Sequence, residues 1–90
     1  MQRASVKVTI LNRLGLHARP AMAFVDVAVG HKCRVTVKRG DQEVDGKSIM
    51  QVMMLAATKG TELEIETEGD DAHEAVDRLR ALVEGKFGED

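Results

Sequence analysis

The sequence contains few of the residues that stiffen or cross-link a small domain. It has no tryptophan or tyrosine, two phenylalanines (Phe24 and Phe87), one proline (Pro20) and one cysteine (Cys33). The core must therefore be built mainly from Val, Leu, Ile, Ala and Met. A single cysteine excludes a disulfide within the chain, which is typical of proteins from a reducing cytoplasm.

Long apolar segments are also absent. No stretch approaches the roughly 18 apolar residues of a membrane span, and the N-terminal residues contain no apolar block of the kind found in signal peptides. A chain of 90 residues supports one small core and leaves no room for a deep, enclosed active site. We therefore expect residues 1–90 to form a single cytoplasmic domain without membrane insertion.

Charge is unevenly distributed along the chain. Residues 1–60 hold 10 Lys and Arg against 4 Asp and Glu, an excess of +6, whereas residues 61–90 hold 3 against 11, an excess of −8. The acidic part can be a solvated sheet face and helix. The basic part can be a surface that meets acidic partners or phosphate. The sequence leaves both interpretations open.

Periodic patterns predict four strands and three helices. Apolar and polar residues alternate over 4–10, 33–39 and 61–68, which is typical of half-buried strands, and "RGDQ" indicates a hairpin turn that leads into a short strand at 42–44. Helical patterns cover 18–29, a short segment from Ser48, and 71–84. The order is β-α-β-β-α-β-α. Because every strand has one polar face, we expect an α+β fold in which one antiparallel sheet is covered by all three helices on one face.

Local signals predict where the helices begin and end. Ser48 with Gln51, and Asp71 with Glu74, have the spacing of capping boxes, and Gly30 and Gly85 stand where helix-ending glycines belong. The last four residues, "FGED", are expected to fray. The buried stripe of the third helix is predicted to comprise Ala72, Ala75, Val76, Leu79, Leu82 and Val83.

The stretch "LGLHARP" combines several unusual residues at a strand-to-helix junction. Pro20 is tolerated in the first turn of a helix, so the helix is expected to start near His17, and Gly15 permits a sharp turn just before it. The free backbone N–H groups of Ala18 and Arg19 and the Arg19 guanidinium then face His17. These positive groups disfavour an imidazolium, so we expect a neutral, nucleophilic imidazole beside an anion site. The stretch has no evident acid or base partner, which suits a group carrier better than a hydrolytic site.

Two motifs carry a resemblance to a known family. "GLHARPA" resembles the active-site signature of HPr, the histidine-containing phosphocarrier family of the bacterial sugar phosphotransferase system, and "GKSIMQVMMLAATKGTELEI" resembles its second signature. The resemblance implies an open-faced β-sandwich and a carrier that is not itself an enzyme and uses no cofactor. His17 would accept phosphate on Nδ1 from phosphorylated enzyme I and pass it to a IIA component of a sugar transporter. Arg19 would steady the phosphoryl group.

The resemblance also implies regulation and docking. Ser48 matches the serine that HPr kinase/phosphorylase modifies in many bacteria, which would connect the protein to a transcriptional regulator. Phosphate is favoured at a helix N-terminus, so this modification should leave the helix intact. Val52 and Leu55 can face the core, which leaves an apolar side for partners. The predicted partner-binding residues are Leu14, Gly15, Leu16, Pro20, Lys47, Ile49, Met50 and Met53.

Some positions depart from the family pattern. Asp26 and Val29 stand where many members carry lysines, Arg13 can supply charge instead, and Gln51 stands where glycine is frequent. These departures bear on partner choice and leave the chemistry of His17 unchanged.

Three other functions are compatible with part of the sequence pattern. An RNA-binding plait has a similar element order but needs aromatic residues on its sheet, which this chain lacks. A metal site built from His17, His31, Cys33 and His73 has no suitable spacing. The serious alternative is a regulatory interaction protein of a nitrogen-linked or carbon-control phosphorelay that has no sugar transport role. For the phosphocarrier, as for the regulatory alternative, we expect a monomer that binds no nucleic acid.

Overall fold

A computed structural model describes residues 2–89. Its elements are β1 (Gln2–Thr9), α1 (Ala18–Val29), β2 (Arg34–Arg39), β3 (Gln42–Asp45), α2 (Ile49–Met54), β4 (Glu62–Gly69) and α3 (Ala72–Glu84), followed by a short 3₁₀ helix (Lys86–Gly88). This order confirms the predicted β-α-β-β-α-β-α arrangement. The final 3₁₀ helix is an addition, because frayed chain was expected there.

The four strands form one antiparallel sheet in the order β1-β4-β2-β3. Ile65 in the central strand β4 pairs with Val6 of β1 and with Val37 of β2, and all three side chains point to the covered face. On the other face, Lys38 of β2 forms an ion pair with Glu66 of β4 at 3.0 Å. The predicted open-faced α+β sandwich is therefore confirmed.

The core between the sheet and the helices is almost entirely aliphatic, as the composition required. Phe24 is its buried aromatic residue, and Phe87 packs against it from the 3₁₀ helix. Five of the six residues in the predicted stripe of α3 are buried. Leu82 is only half-buried, because it lies at the margin of the stripe, about 60° around the helix from Leu79.

Of the two predicted capping boxes, that of Ser48 forms in part and that of Asp71 does not form. Ser48 Oγ accepts a hydrogen bond from the Gln51 backbone N–H at 3.2 Å, whereas the Gln51 side chain accepts from the backbone N–H of Asp45. Asp71 makes no side-chain cap on α3. Its carboxylate instead accepts from the backbone N–H groups of Lys32 and Cys33, both at 2.9 Å. The prediction of a capping box at Asp71 is therefore wrong, because its carboxylate binds two backbone N–H groups of a loop that is distant in sequence.

No helix within residues 2–89 has the length and apolar character needed to cross a membrane.

Candidate functional site

Two hydrogen bonds from or to buried residues fix the loop between β1 and α1. Asn12 is fully buried, and its Nδ2 donates to the carbonyl of Gly15 at 2.7 Å. The next backbone N–H, that of Leu16, donates to the carbonyl of Ala57 at 2.8 Å. Gly15 has a φ of +72°, and a Cβ there would lie 2.6 Å from the same Ala57 oxygen. The loop therefore needs glycine at this position to lie against the chain that follows α2.

His17 is the N-cap of α1, as predicted. Its backbone is extended, and its carbonyl accepts from the Ala21 N–H at 3.0 Å, which starts the helix. The imidazole makes no capping bond. Among residues 2–89, the backbone N–H groups of Ala18 and Arg19 have no hydrogen-bond acceptor, and Pro20 has no N–H. Two amide donors are therefore free at the positive end of the helix dipole.

A cleft of about 480 Å³ opens at this helix start. It is bordered by two arginines, one carboxylate and the imidazole, and its lining residues are Arg13, Leu14, His17, Ala18, Arg19 and Glu89. With two guanidinium groups and two free amides against one carboxylate, the cleft is suited to an anion.

Glu89 is the functional contact that sequence reasoning missed. Its Oε1 lies 2.9 Å from His17 Nε2 and 2.9 Å from Asn12 Nδ2. The hydrogen bond from His17, followed by that from Asn12, lowers the pKa of the Glu89 carboxyl below its usual value. The expectation of a frayed C-terminus is wrong for Phe87 and Glu89, and Asp90 lies outside the described residues. His17 and Glu89 are 72 residues apart, and no local pattern relates them.

Ser48 lies at the start of α2 and is partly exposed. The predicted division of α2 is confirmed, because Val52 and Leu55 are buried while Ile49, Met50 and Met53 are exposed. Met50 is 78% exposed, and Met54, which was not predicted, is 67% exposed. Sequence reasoning could have included Met54, because it follows directly on the apolar run. Leu14, in the loop before His17, is 63% exposed.

The predicted partner-binding residues differ in their exposure. Gly15 and Leu16 are buried in the loop before α1, and Pro20 is buried in the first turn of α1. Lys47 is partly buried, and its Nζ donates to the carbonyl of His31 at 2.7 Å. We use the name apolar patch for the exposed apolar residues of α2, which are Ile49, Met50, Met53 and Met54.

The other histidines and the cysteine lie elsewhere. His31 is buried and bridges the carbonyl of Val27 and the carboxylate of Glu74, while Cys33 is buried at the start of β2. Burial, and the hydrogen bond to Asp71, raise the pKa of the Cys33 thiol to about 11. Within residues 2–89, no group of three or more His, Cys, Asp or Glu side chains is placed to hold a metal ion.

Comparison with known proteins settles the family. The family model described as "PTS HPr component phosphorylation site" matches residues 4–85. The chain belongs to the HPr family. It is 51% identical to phosphocarrier protein HPr of Pseudomonas aeruginosa over 86 residues, which cover 94% of this chain and 96% of the relative. The resemblance drawn from the two motifs is thus confirmed, and with it the phosphocarrier role in the phosphotransferase system.

A solved structure and a further curated relative extend the comparison. The crystal structure of HPr from Thermoanaerobacter tengcongensis superposes with a TM-score of 0.93 at 40% identity, covering 97% of this chain and 98% of that one. Phosphocarrier protein NPr of Proteus mirabilis is 39% identical over 85 residues, which cover 93% of this chain and 94% of the relative. Relatives named HPr and NPr thus both match nearly the whole chain.

Proposed function

We propose that His17 accepts a phosphoryl group on Nδ1 from phosphorylated enzyme I and passes it to a IIA component of a sugar transporter. The Nδ1 lone pair attacks phosphorus, a nitrogen–phosphorus bond forms, and the bond to the donor breaks with its electron pair left on the donor. The ring proton stays on Nε2. Transfer onward to the acceptor reverses these steps, so the chain carries the group and returns unchanged.

The observation that carries this proposal is the pair of unpartnered amides beside the imidazole. The N–H groups of Ala18 and Arg19 stand at the start of α1 next to His17, in a cleft that Arg13 and Arg19 also line. Nδ1 makes no hydrogen bond within residues 2–89, whereas Nε2 is engaged by Glu89. A phosphoryl group on Nδ1 would meet donors that are already in place, and Arg19 would steady it through charge-assisted hydrogen bonds.

The test is phosphorylation by enzyme I and phosphoenolpyruvate. We expect the wild-type chain to gain one acid-labile, alkali-stable phosphate, and we expect His17→Ala to gain none while keeping its circular dichroism spectrum. His73→Ala is the matched control, because His73 is an exposed histidine in the first turn of another helix. Phosphate uptake by His17→Ala equal to that of the control would refute the assignment.

We infer a regulatory role for Ser48 from its position. It is partly exposed at the start of α2, and its Oγ already accepts from the Gln51 N–H. Phosphate oxygens can accept the same bond, so modification by HPr kinase/phosphorylase adds about two negative charges without breaking the cap. These charges stand next to Ile49 and Met50 of the apolar patch. Burying them under a partner is costly, so phosphorylation weakens docking of enzyme I and favours a different partner, such as a transcriptional regulator.

Calorimetry with enzyme I tests this regulation. Ser48→Asp should weaken binding, whereas Ser48→Ala should bind as the wild type does, because it introduces no charge. Equal affinities for the Asp and Ala variants would contradict the electrostatic mechanism.

A second function remains a candidate because one relative favours it. The similarity to NPr of Proteus mirabilis supports a regulatory phosphorelay, nitrogen-linked rather than sugar-linked. The chain would then carry phosphate on His17 as a cytoplasmic monomer, but its acceptor would be a regulator. Measuring phosphotransfer rates with the purified donor protein of each relay distinguishes the two, since the physiological donor should transfer the phosphoryl group faster.

A further inference from the structure

A carboxylate beside a nucleophilic histidine can choose which ring nitrogen reacts. Glu89 Oε1 lies 2.9 Å from His17 Nε2, and the two side chains are 21% and 38% exposed. The contact between His17 and Glu89 is therefore partly shielded from solvent. Glu89 is also the one acidic residue among those that line the cleft.

The position of Glu89 does not depend on the histidine. Asn12 Nδ2 donates to the same Oε1 at 2.9 Å and also donates to the Gly15 carbonyl at 2.7 Å. Asn12 is fully buried, so its amide is a fixed support. Phe87, packed against the core, anchors the tail two residues earlier. The carboxylate is therefore held in place before any phosphoryl donor arrives.

We propose that Glu89 is a positioning residue that keeps the ring proton of His17 on Nε2 and so presents the lone pair of Nδ1 to the phosphoryl donor. A neutral imidazole carries one N–H, and an ionised carboxylate can only accept hydrogen bonds. A carboxylate at Nε2 therefore selects the tautomer in which Nδ1 is free to attack. This inference rests on the proposed function of His17.

The same contact acts on the charge that develops during transfer. Attack by Nδ1 leaves the ring with a bond to phosphorus and a proton on Nε2, so the ring becomes cationic. Arg13 and Arg19, which line the same cleft, oppose this positive charge, whereas Glu89 contacts the ring at Nε2. The arginines thus stabilise the phosphoryl oxygens and Glu89 stabilises the ring, and each acts on the part of the intermediate that carries the opposite charge.

The test compares Glu89→Gln with Glu84→Gln. Glutamine keeps the shape of the side chain but is neutral and can donate as well as accept, so it selects the Nε2–H tautomer less strongly than a carboxylate does, even where Asn12 keeps the amide oxygen towards the ring. Glu84 is an exposed carboxylate at the end of α3 and serves as the matched control. ¹⁵N NMR of the ring reports the tautomer directly. We expect a dominant Nε2–H form in the wild type and in Glu84→Gln, and a mixture in Glu89→Gln.

Kinetics supply the second readout. Glu89→Gln should lower kcat for phosphorylation by enzyme I by roughly tenfold, about 1.4 kcal/mol in the barrier, with KM unchanged. An unchanged tautomer, or an unchanged kcat despite a changed tautomer, would overturn the inference. A raised kcat would also overturn it, because Glu89 would then be a tethered competitor for the anion site. A wild-type protein that takes up no phosphate on His17 would instead refute the proposed function itself.

Discussion

Gly15→Ala probes the support beneath the site most directly. Gly15 has a φ of +72°, and a Cβ at this position would lie 2.6 Å from the carbonyl oxygen of Ala57 and 2.9 Å from the Cα of Thr58. Both are backbone atoms, so no side-chain rotation relieves the clash. The same oxygen accepts the hydrogen bond from the Leu16 N–H at 2.8 Å. The loop can admit a methyl group only by moving away from the chain after α2, which lengthens or breaks that bond.

The expected cost has two parts. Left-handed backbone costs a non-glycine residue about 1 kcal/mol. Loss of the buried hydrogen bond adds roughly 1–2 kcal/mol, so the total is about 2–3 kcal/mol of the free energy of unfolding. Gly40→Ala is the matched control, since Gly40 has a φ of +58° and its Cβ would meet nothing within 4 Å. It should lose only the backbone part, about 1 kcal/mol.

Thermal and urea unfolding of the two variants measure the difference. In a domain of this size, about 4–8 °C of Tm corresponds to each kcal/mol, so Gly15→Ala should melt well below Gly40→Ala. Where both variants are folded, Gly15→Ala should also be phosphorylated more slowly, because Leu16 directly precedes His17. Equal losses of stability in the two variants would refute the close-approach argument and reduce the role of Gly15 to its backbone angle.

Three further predictions concern the fold that carries the site. Backbone hydrogen bonds from Lys32 and Cys33 hold the pKa of Asp71 in the folded protein below its usual 3.8. The ionised carboxylate therefore stabilises the fold above pH 3.8, and this stabilisation is lost as the pH falls through the pKa of the folded state. In urea unfolding, the difference in stability between the wild type and Asp71→Asn should disappear in acid and persist in base. Burial raises the pKa of the Cys33 thiol from its usual 9.0 to about 11, so the neutral thiol stabilises the fold up to about pH 9 and this stabilisation is lost between pH 9 and 11. At about pH 8, a chromogenic disulfide reagent should label Cys33 only at the rate of unfolding. Rapid labelling of the native protein would contradict the burial of Cys33. Leu55→Ala should cost about 2–5 kcal/mol in urea unfolding, whereas Met50→Ala, on the exposed side of the same helix, should cost no more than about 0.5 kcal/mol.

The fold could be predicted almost completely because its signals are local. Each strand alternates and each long helix carries an apolar stripe, so the pattern of one segment indicates both its structure and the face it buries. The order of the segments then favours one antiparallel sheet covered on one face. The helix start at His17 could also be predicted from local signals, since Gly15 and Pro20 lie within a few residues of it.

The predictions that failed depend on contacts between distant parts of the chain. Asp71 stands where a capping residue belongs, but its carboxylate binds amides 38 and 39 residues away, and two backbone donors outcompete one in its own helix. Leu16 was predicted to bind a partner; its side chain is buried, and its backbone N–H donates to the carbonyl of Ala57 in a distant part of the chain. Glu89 lies in a tail whose composition suggests fraying.

The structure shows how the unevenly distributed charges are paired on two different surfaces. On the open face of the sheet, acidic residues of β4 pair with basic residues of neighbouring strands, as Glu66 does with Lys38 and Glu68 with Arg3. Such exposed pairs contribute little to stability, so this acidic surface serves mainly to solvate the sheet. Within residues 2–89, by contrast, neither Arg13 nor Arg19 has a carboxylate within ion-pair distance. Their charge is left available in the cleft, where the one acidic residue contacts the imidazole, and under the proposed function both guanidinium groups would bind an incoming phosphoryl group.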